Sequence, residues 1–239
     1  MGWFARWRAR GAPCLRPAQL PAPDTPQLAH LCATIRACRN PAQLLPLLED
    51  VNGWVREAAL AASAACPDAR FIPGVCGRLN DWAPEVRLAA RIALRAHLQT
   101  RYAADWLAQW PRLRALHHCQ REQHRFAVWE VEQLLLQAPD LLRTRALQPQ
   151  ADAAARREWL WLAAQAGAVS LEQRLQVCIE SADPLLAGCF CAWLMELPAA
   201  ARAPWLARAA NGPSCMRAAC ARAHGRICAH AQNPLHPAP

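Results

Sequence analysis

The feature that most constrains the fold is a short pattern that occurs twice, 31 residues apart. Asp50 and Arg56 recur as Asp81 and Arg87, with a valine before each arginine and an Ala-Ala pair soon after it. Pro84 follows the second aspartate, at a place where the first turn of a helix tolerates a missing N–H. Apolar residues then recur at helical spacing. A two-helix unit repeated at this period predicts an α-solenoid.

These recurring residues resemble a HEAT repeat, and the match is closest from Phe71 to His97. The resemblance implies an all-α fold, a right-handed α-solenoid of about six HEAT-like two-helix repeats, which usually serves as a protein-binding scaffold. It also implies that the Asp caps the second helix and that the Arg bridges to the acid of the neighbouring repeat. The resemblance is most specific over 41–98, weaker over 139–230 and weakest over 99–138.

In the later repeats, the interval between equivalent positions is retained better than the Asp and Arg residues themselves. The arginine position is next taken by Arg125, Arg156, Ala187 and Arg217. The aspartate position is next taken by Cys119, Gln150, Ser181 and Asn211. The interval from Arg87 to Arg125 is 38 residues rather than 31. We therefore expect about seven extra residues near Trp110–Leu116.

The chain is expected to have three segments. Residues 1–24 form a basic, proline-rich arm or cap, 25–231 form the HEAT-like solenoid, and 232–239 form a disordered tail. Helices are expected to begin at Thr25-Pro26 and at Asn40-Pro41, because both pairs suit the N-cap and first helical position. Between the clear repeats and the later ones, helices are expected over 102–110 and 117–137. The count is six helix pairs and one leading helix.

Composition limits the chemistry of this chain. Hydrophobic residues make up 54% of the sequence but aromatic residues only 7%, so small aliphatic residues must fill the helix interfaces. All 27 basic residues are arginine and the formal net charge is +9. Without lysine, neither a Schiff base nor a P-loop is available. The twelve cysteines include no Cys-x2-Cys pair, and no secretory signal is recognised, so we expect a cytoplasmic protein.

Two clusters of Cys and His are candidate metal ligands. Cys220, His224 and Cys228 span about 12 Å along one helix, too far for all three to reach one ion. The second cluster, within 117–124, has no recognised ligand spacing. Because phosphate loops and nucleophile elbows are also lacking, we expect a non-enzymatic protein without cofactor, metal or catalytic residues.

The expected partner is a protein with acidic patches, bound on the concave face. Arg87, Arg91 and Arg95 recur at every fourth residue of one helix, and we expect them to be exposed contacts. Trp54 and Trp82 lie in inter-helix turns, where tryptophan is a candidate anchor. These five residues form the predicted partner-binding set.

Nucleic acid is the alternative partner. HEAT-like alkylpurine DNA glycosylases are basic and similar in length, and Asp105-Trp106 is a partial echo of the Trp and Asp residues in their groove. Such binding needs a continuous basic stripe. The helix expected over 184–197 contains no arginine, which favours a protein partner.

Overall fold

The computed structural model describes residues 25–119, 124–181 and 183–232, with side chains as far as Gly225. In these ranges every regular element is a helix, as predicted. Internal contacts divide the chain into two compact units, Met1–Leu135 and Leu136–Pro239. The predicted arm, 1–24, and residues 233–239 of the predicted tail lie outside the described residues. No described helix has the length and hydropathy to cross a bilayer.

Unit 1 contains seven described α-helices. They are α1 Pro26–Ala37, α2 Pro41–Leu44, α3 Gly53–Ala65, α4 Ile72–Arg78, α5 Pro84–Ala96, α6 Ala103–Ala115 and α7 Arg125–Leu136. A 3₁₀ turn, Pro46–Glu49, extends α2. Helix α3 packs against both α1 and α5, whereas α4 packs against the 3₁₀ turn and α6. These contacts create two layers, with a core of alanine, leucine and valine between them.

The first helices begin where the sequence predicts. The Thr25 hydroxyl accepts the Leu28 N–H at 3.2 Å, and the Asn40 side chain accepts the Ala42 N–H at 3.0 Å. In each case a proline occupies the first helical position. The expected caps therefore form, because each side chain satisfies an N–H that the helix leaves without a partner.

The expected helices over 102–110 and 117–137 need correction. Helix α6 continues through Pro111 to Ala115, and a 3₁₀ turn follows over Leu116–His118. Burial of Trp110 and Leu113 on the core face favours continuation despite the missing proline N–H. Helix α6 has 13 residues and α4 has 7, so the extra residues lengthen a helix. Helix α7 begins at Arg125, and 120–123 are not described.

Unit 2 contains six described helices. They are α8 Pro139–Ala146, α9 Ala153–Gln165, α10 Leu171–Glu180, α11 Pro184–Glu196, α12 Ala199–Ala210 and α13 Ser214–Gln232. Helix α9 packs on α8, α11 packs on α10 and α13, and α12 packs on α13. Thirteen α-helices in the described ranges match the expected count of one leading helix and six pairs.

Local signals also fix the turn between α9 and α10. Gly167 has φ +64°, and the Ala168 N–H donates to the Ala163 carbonyl at 2.8 Å. This closing bond terminates α9, and glycine tolerates the left-handed conformation that it needs. Ser170 then caps α10 in a reciprocal box with Gln173. The turn is thus specified within a few residues.

Candidate partner-binding surface

The turn before α5 is built around Asp81, but Asp81 is not the helix cap. The cap position belongs to Ala83, whose N–H donates to the Asp81 carboxylate at 3.0 Å. In the earlier repeat, Asp50 likewise accepts the Asn52 N–H at 2.7 Å, and Asn52 caps α3. The capping role implied by the HEAT resemblance is therefore wrong by two residues. Each aspartate braces the turn that leads into its helix.

The arginines of the two repeats make the same backbone contacts. Arg56 donates from Nη1 to the carbonyls of Asp50 and Val51, at 2.8 and 3.0 Å. Arg87 donates from Nη1 to the carbonyls of Asp81 and Trp82, at 2.9 and 3.1 Å. The 31-residue sequence repeat is thus also a repeat of hydrogen bonds. It holds both turns in one conformation.

Arg56 also bridges to the acid of the next repeat, as the HEAT resemblance implies. Its Nε and Nη2 donate to the two carboxylate oxygens of Asp81 at 3.0 and 2.8 Å. Only 3% of the Arg56 side chain and 1% of the Asp81 side chain are exposed. Burial raises the pKa of Asp81, but hydrogen bonds from Arg56 and the Ala83 N–H outweigh it and hold the pKa below the usual range.

The braced turns present apolar side chains to solvent. Val51 is 93% exposed and Trp82, at the equivalent position, is 68% exposed. The Arg56 guanidinium lies 5.7 Å from the Trp82 ring centroid, within cation–π range. Trp82 is therefore a large exposed side chain on a rigid support. Sequence analysis identified Trp82 but missed Val51, which the 31-residue register could have revealed.

Trp54 is placed differently from Trp82. It is half-buried at the start of α3, and its backbone N–H donates to the Asn52 side-chain oxygen at 2.9 Å. Its carbonyl faces the Cys32 thiol at 3.7 Å. The two predicted tryptophans thus do not form one exposed pair, because Trp54 is already inside the helix whereas Trp82 precedes one.

The predicted arginine row is half-buried rather than exposed. Arg87, Arg91 and Arg95 are all of intermediate exposure. Arg95 donates from Nε to the Glu130 carboxylate on α7 at 2.9 Å, and its guanidinium lies 5.2 Å from the Phe126 ring. The row therefore lies along the side of α5 that faces α7.

Positive charge is concentrated around this row. Burial lowers the pKa of Arg91, and the neighbouring Arg87 and Arg95 lower it further. His124 is buried beside the row, and burial, then Arg91 and Arg87, lower its pKa as well. An anionic group brought to this surface would offset repulsion that is already present.

Other predicted features fall elsewhere. Trp106, part of the glycosylase echo, is fully buried and donates to the His97 carbonyl at 2.9 Å, so it lines no groove. The Cys220 thiol is buried against the Leu206 carbonyl at 3.4 Å. Within the described residues, no group of three His, Cys, Asp or Glu side chains converges as a metal site would require. Trp161 is exposed and Trp159 is half-buried, because residues two apart on a helix lie on different faces.

Comparisons with protein-family models, curated proteins and solved structures gave no match to this chain.

Proposed function

We propose that this chain is a non-enzymatic, HEAT-like α-solenoid scaffold that binds an acidic protein partner. The partner would lie along the layer formed by α3, α5 and α7, on the concave face of the solenoid. Trp82 would provide the apolar anchor, and Arg87, Arg91 and Arg95 the charged contacts.

The observation that carries the proposal is the repeated hydrogen-bond network. Arg56 and Arg87 occupy matching positions, and Arg56 joins its own repeat to Asp81 of the next. Repetition supports a structural role, because a catalytic group would be needed only once. A chain of linked helix pairs in turn favours a scaffold, since stacked repeats create long binding surfaces.

The charge and exposure of α5 support an acidic protein partner. Three half-buried guanidiniums have lost part of their hydration, and desolvated arginine binds carboxylate well. An exposed tryptophan on a pre-organised turn loses little entropy on binding. Glu130 interrupts the positive surface by pairing with Arg95, which favours a partner of mixed chemistry over a polyanionic duplex.

The test is affinity capture from nuclease-treated lysate with the full-length chain, at low and high salt. Two variants alter the proposed surface, Trp82→Ala and Arg91→Glu. Two control variants alter exposed residues of the same type elsewhere. They are Trp161→Ala in unit 2 and Arg101→Glu in the 3₁₀ turn Thr100–Tyr102, which precedes α6. Circular dichroism verifies that all four remain folded.

We expect a defined protein that survives nuclease treatment, is lost from both surface variants and is retained by both controls. Capture by the surface variants as strong as by wild type would refute this binding surface. Recovery of nucleic acid alone, lost steeply as salt rises, would instead support the nucleic-acid alternative.

A further inference from the structure

A groove of about 280 Å³ lies on unit 2. It is formed by residues at the end of α8 and on α9, α10 and α12. Leu147 and Val177 give it apolar lining, Trp205 forms an aromatic wall, and Glu172 and Glu180 supply carboxylates. This volume lies just below the range of about 300–1,000 Å³ that is typical of ligand pockets. The groove therefore suits a compact ligand with both apolar and charged parts.

Arg156 lines this groove, and its guanidinium has fewer hydrogen-bond partners than its burial would require. The residue is 6% exposed. Its Nε donates to the Ala146 carbonyl at 3.2 Å, but among the described residues no carboxylate pairs with it and no acceptor binds Nη1 or Nη2. The carbonyl end of α8 offsets part of the charge. A buried guanidinium is normally paired, so the groove is where an acceptor can reach it.

Comparison with unit 1 explains why Arg156 lacks an acid. Arg156 occupies the repeat position of Arg56, whose charge is neutralised by Asp81. The residue equivalent to Asp81 is Ser181, which is buried and accepts the Asp183 N–H at 3.0 Å. The carboxylate that completes the pair in unit 1 is thus absent from its repeat position in unit 2.

We propose that the groove binds a small α-amino acid with an apolar or aromatic side chain. Its carboxylate would accept two hydrogen bonds from Arg156 Nη1 and Nη2, a planar pairing that arginine favours. Its side chain would pack on Trp205 and Leu147. This site lies in unit 2, and its test does not depend on the scaffold function proposed for unit 1.

The acidic residues of the groove select a zwitterion over a simple anion. A bare carboxylate entering beside Glu172 and Glu180 would be repelled, whereas an ammonium group next to it would be attracted. Gln176 donates to Glu180 and accepts from Arg208, whose guanidinium lies 4.8 Å from the Trp205 ring. This chain of contacts positions one carboxylate and the aromatic wall before any ligand binds.

The test is isothermal titration calorimetry of the full-length chain with L-phenylalanine and L-leucine. Phenylalanine amide lacks the carboxylate, and N-acetylphenylalanine lacks the ammonium while resembling a peptide C-terminus. We expect saturable binding of both amino acids. The amide should bind about 10- to 100-fold more weakly, because it loses charge-assisted hydrogen bonds. N-acetylphenylalanine should also bind more weakly than phenylalanine.

Two variants assign these effects to residues. Arg156→Lys keeps the charge but loses the planar pair, and it should weaken phenylalanine binding. Glu180→Gln should weaken phenylalanine binding, because the ammonium loses its partner, and should strengthen binding of N-acetylphenylalanine, because the carboxylate that repels this anion is gone. Glu196→Gln, an exposed carboxylate outside the groove, is the matched control and should bind as wild type does.

Three results would overturn the proposal, and none depends on Arg156→Lys being folded. The first is the absence of saturable binding by wild type at millimolar amino acid. The second is equal binding of phenylalanine and its amide. The third is binding of N-acetylphenylalanine at least as tight as that of phenylalanine, which would indicate a peptide terminus.

Discussion

Removing the Asp81 carboxylate should destabilise unit 1 strongly. In Asp81→Ala, the buried guanidinium of Arg56 keeps its charge but loses two hydrogen bonds, of 3.0 and 2.8 Å, to the carboxylate. The Ala83 N–H also loses its acceptor. Breaking a buried pair from one side costs about 3–5 kcal/mol, because the remaining charge stays desolvated. We expect a loss of that size in the free energy of unfolding, measured by urea denaturation.

A surface pair in the same unit provides the control. Arg70 and Asp68 are joined at 2.8 Å, but their side chains are 58% and 29% exposed. Asp68→Ala should therefore cost about 1 kcal/mol or less. Both carboxylates also accept a backbone N–H, from Arg70 and from Ala83. The two sites differ in the burial of the ion pair and in a second partner of Asp81, the half-buried Arg78 at 3.1 Å.

A double variant tests the reasoning itself. Arg56→Met combined with Asp81→Leu removes both charges, so neither is left buried alone. The double variant should lose less free energy of unfolding than Arg56→Met alone and Asp81→Leu alone lose in sum. A cost for Asp81→Ala as small as that for Asp68→Ala, or strictly additive single costs, would refute the account of this pair.

The pair also predicts acid sensitivity. The folded pKa of Asp81 is held below that of an unfolded aspartate, which is about 3.9. Its contribution is therefore present above that pH and is lost as pH falls through the lower folded value. Asp81→Asn should remove this part of the pH dependence of the free energy of unfolding.

Three further predictions concern single side chains. Burial lowers the pKa of His97, so the free energy of unfolding should fall as pH drops below about 6.5, and His97→Gln should flatten that slope in denaturation at several pH values. Burial raises the pKa of Cys76 to about 12, so iodoacetamide should label half-buried Cys38 before Cys76. Equal labelling rates of these two cysteines, measured by mass spectrometry, would contradict this. Ser170→Ala should cost about 1 kcal/mol in urea denaturation, whereas Ser170→Thr should retain most of the cap.

The sequence predicted local structure well where side chains act within one turn. Thr25 and Asn40 cap helices as expected, because capping depends on residues two or three positions away. The prediction was weakest over 99–138, where α6 continues through Pro111. Burial of the apolar face of α6 decided where this helix ends, and burial depends on residues that are distant in the sequence.

Two arginine contacts in unit 1 show the same difference between what the sequence predicts and what packing decides. The HEAT resemblance implied that Arg56 reaches the acid of the next repeat, and Arg56 does pair with Asp81. It did not predict that Arg95 pairs with Glu130 of α7. That contact depends on which side of α5 the next layer helix covers, and the repeat pattern is disrupted there.

By itself, the sequence predicted that the described residues form helices, and it predicted their turn signals and the 31-residue interval between Asp50 and Asp81. Only the tertiary structure decided which side chains are exposed, leaving Val51 and Trp82 in solvent and Trp106 in the core. It also placed Arg156 in a groove built from four helices. The physical reason is that helix formation and turn geometry depend on nearby residues, whereas exposure and charge pairing depend on elements brought together by packing.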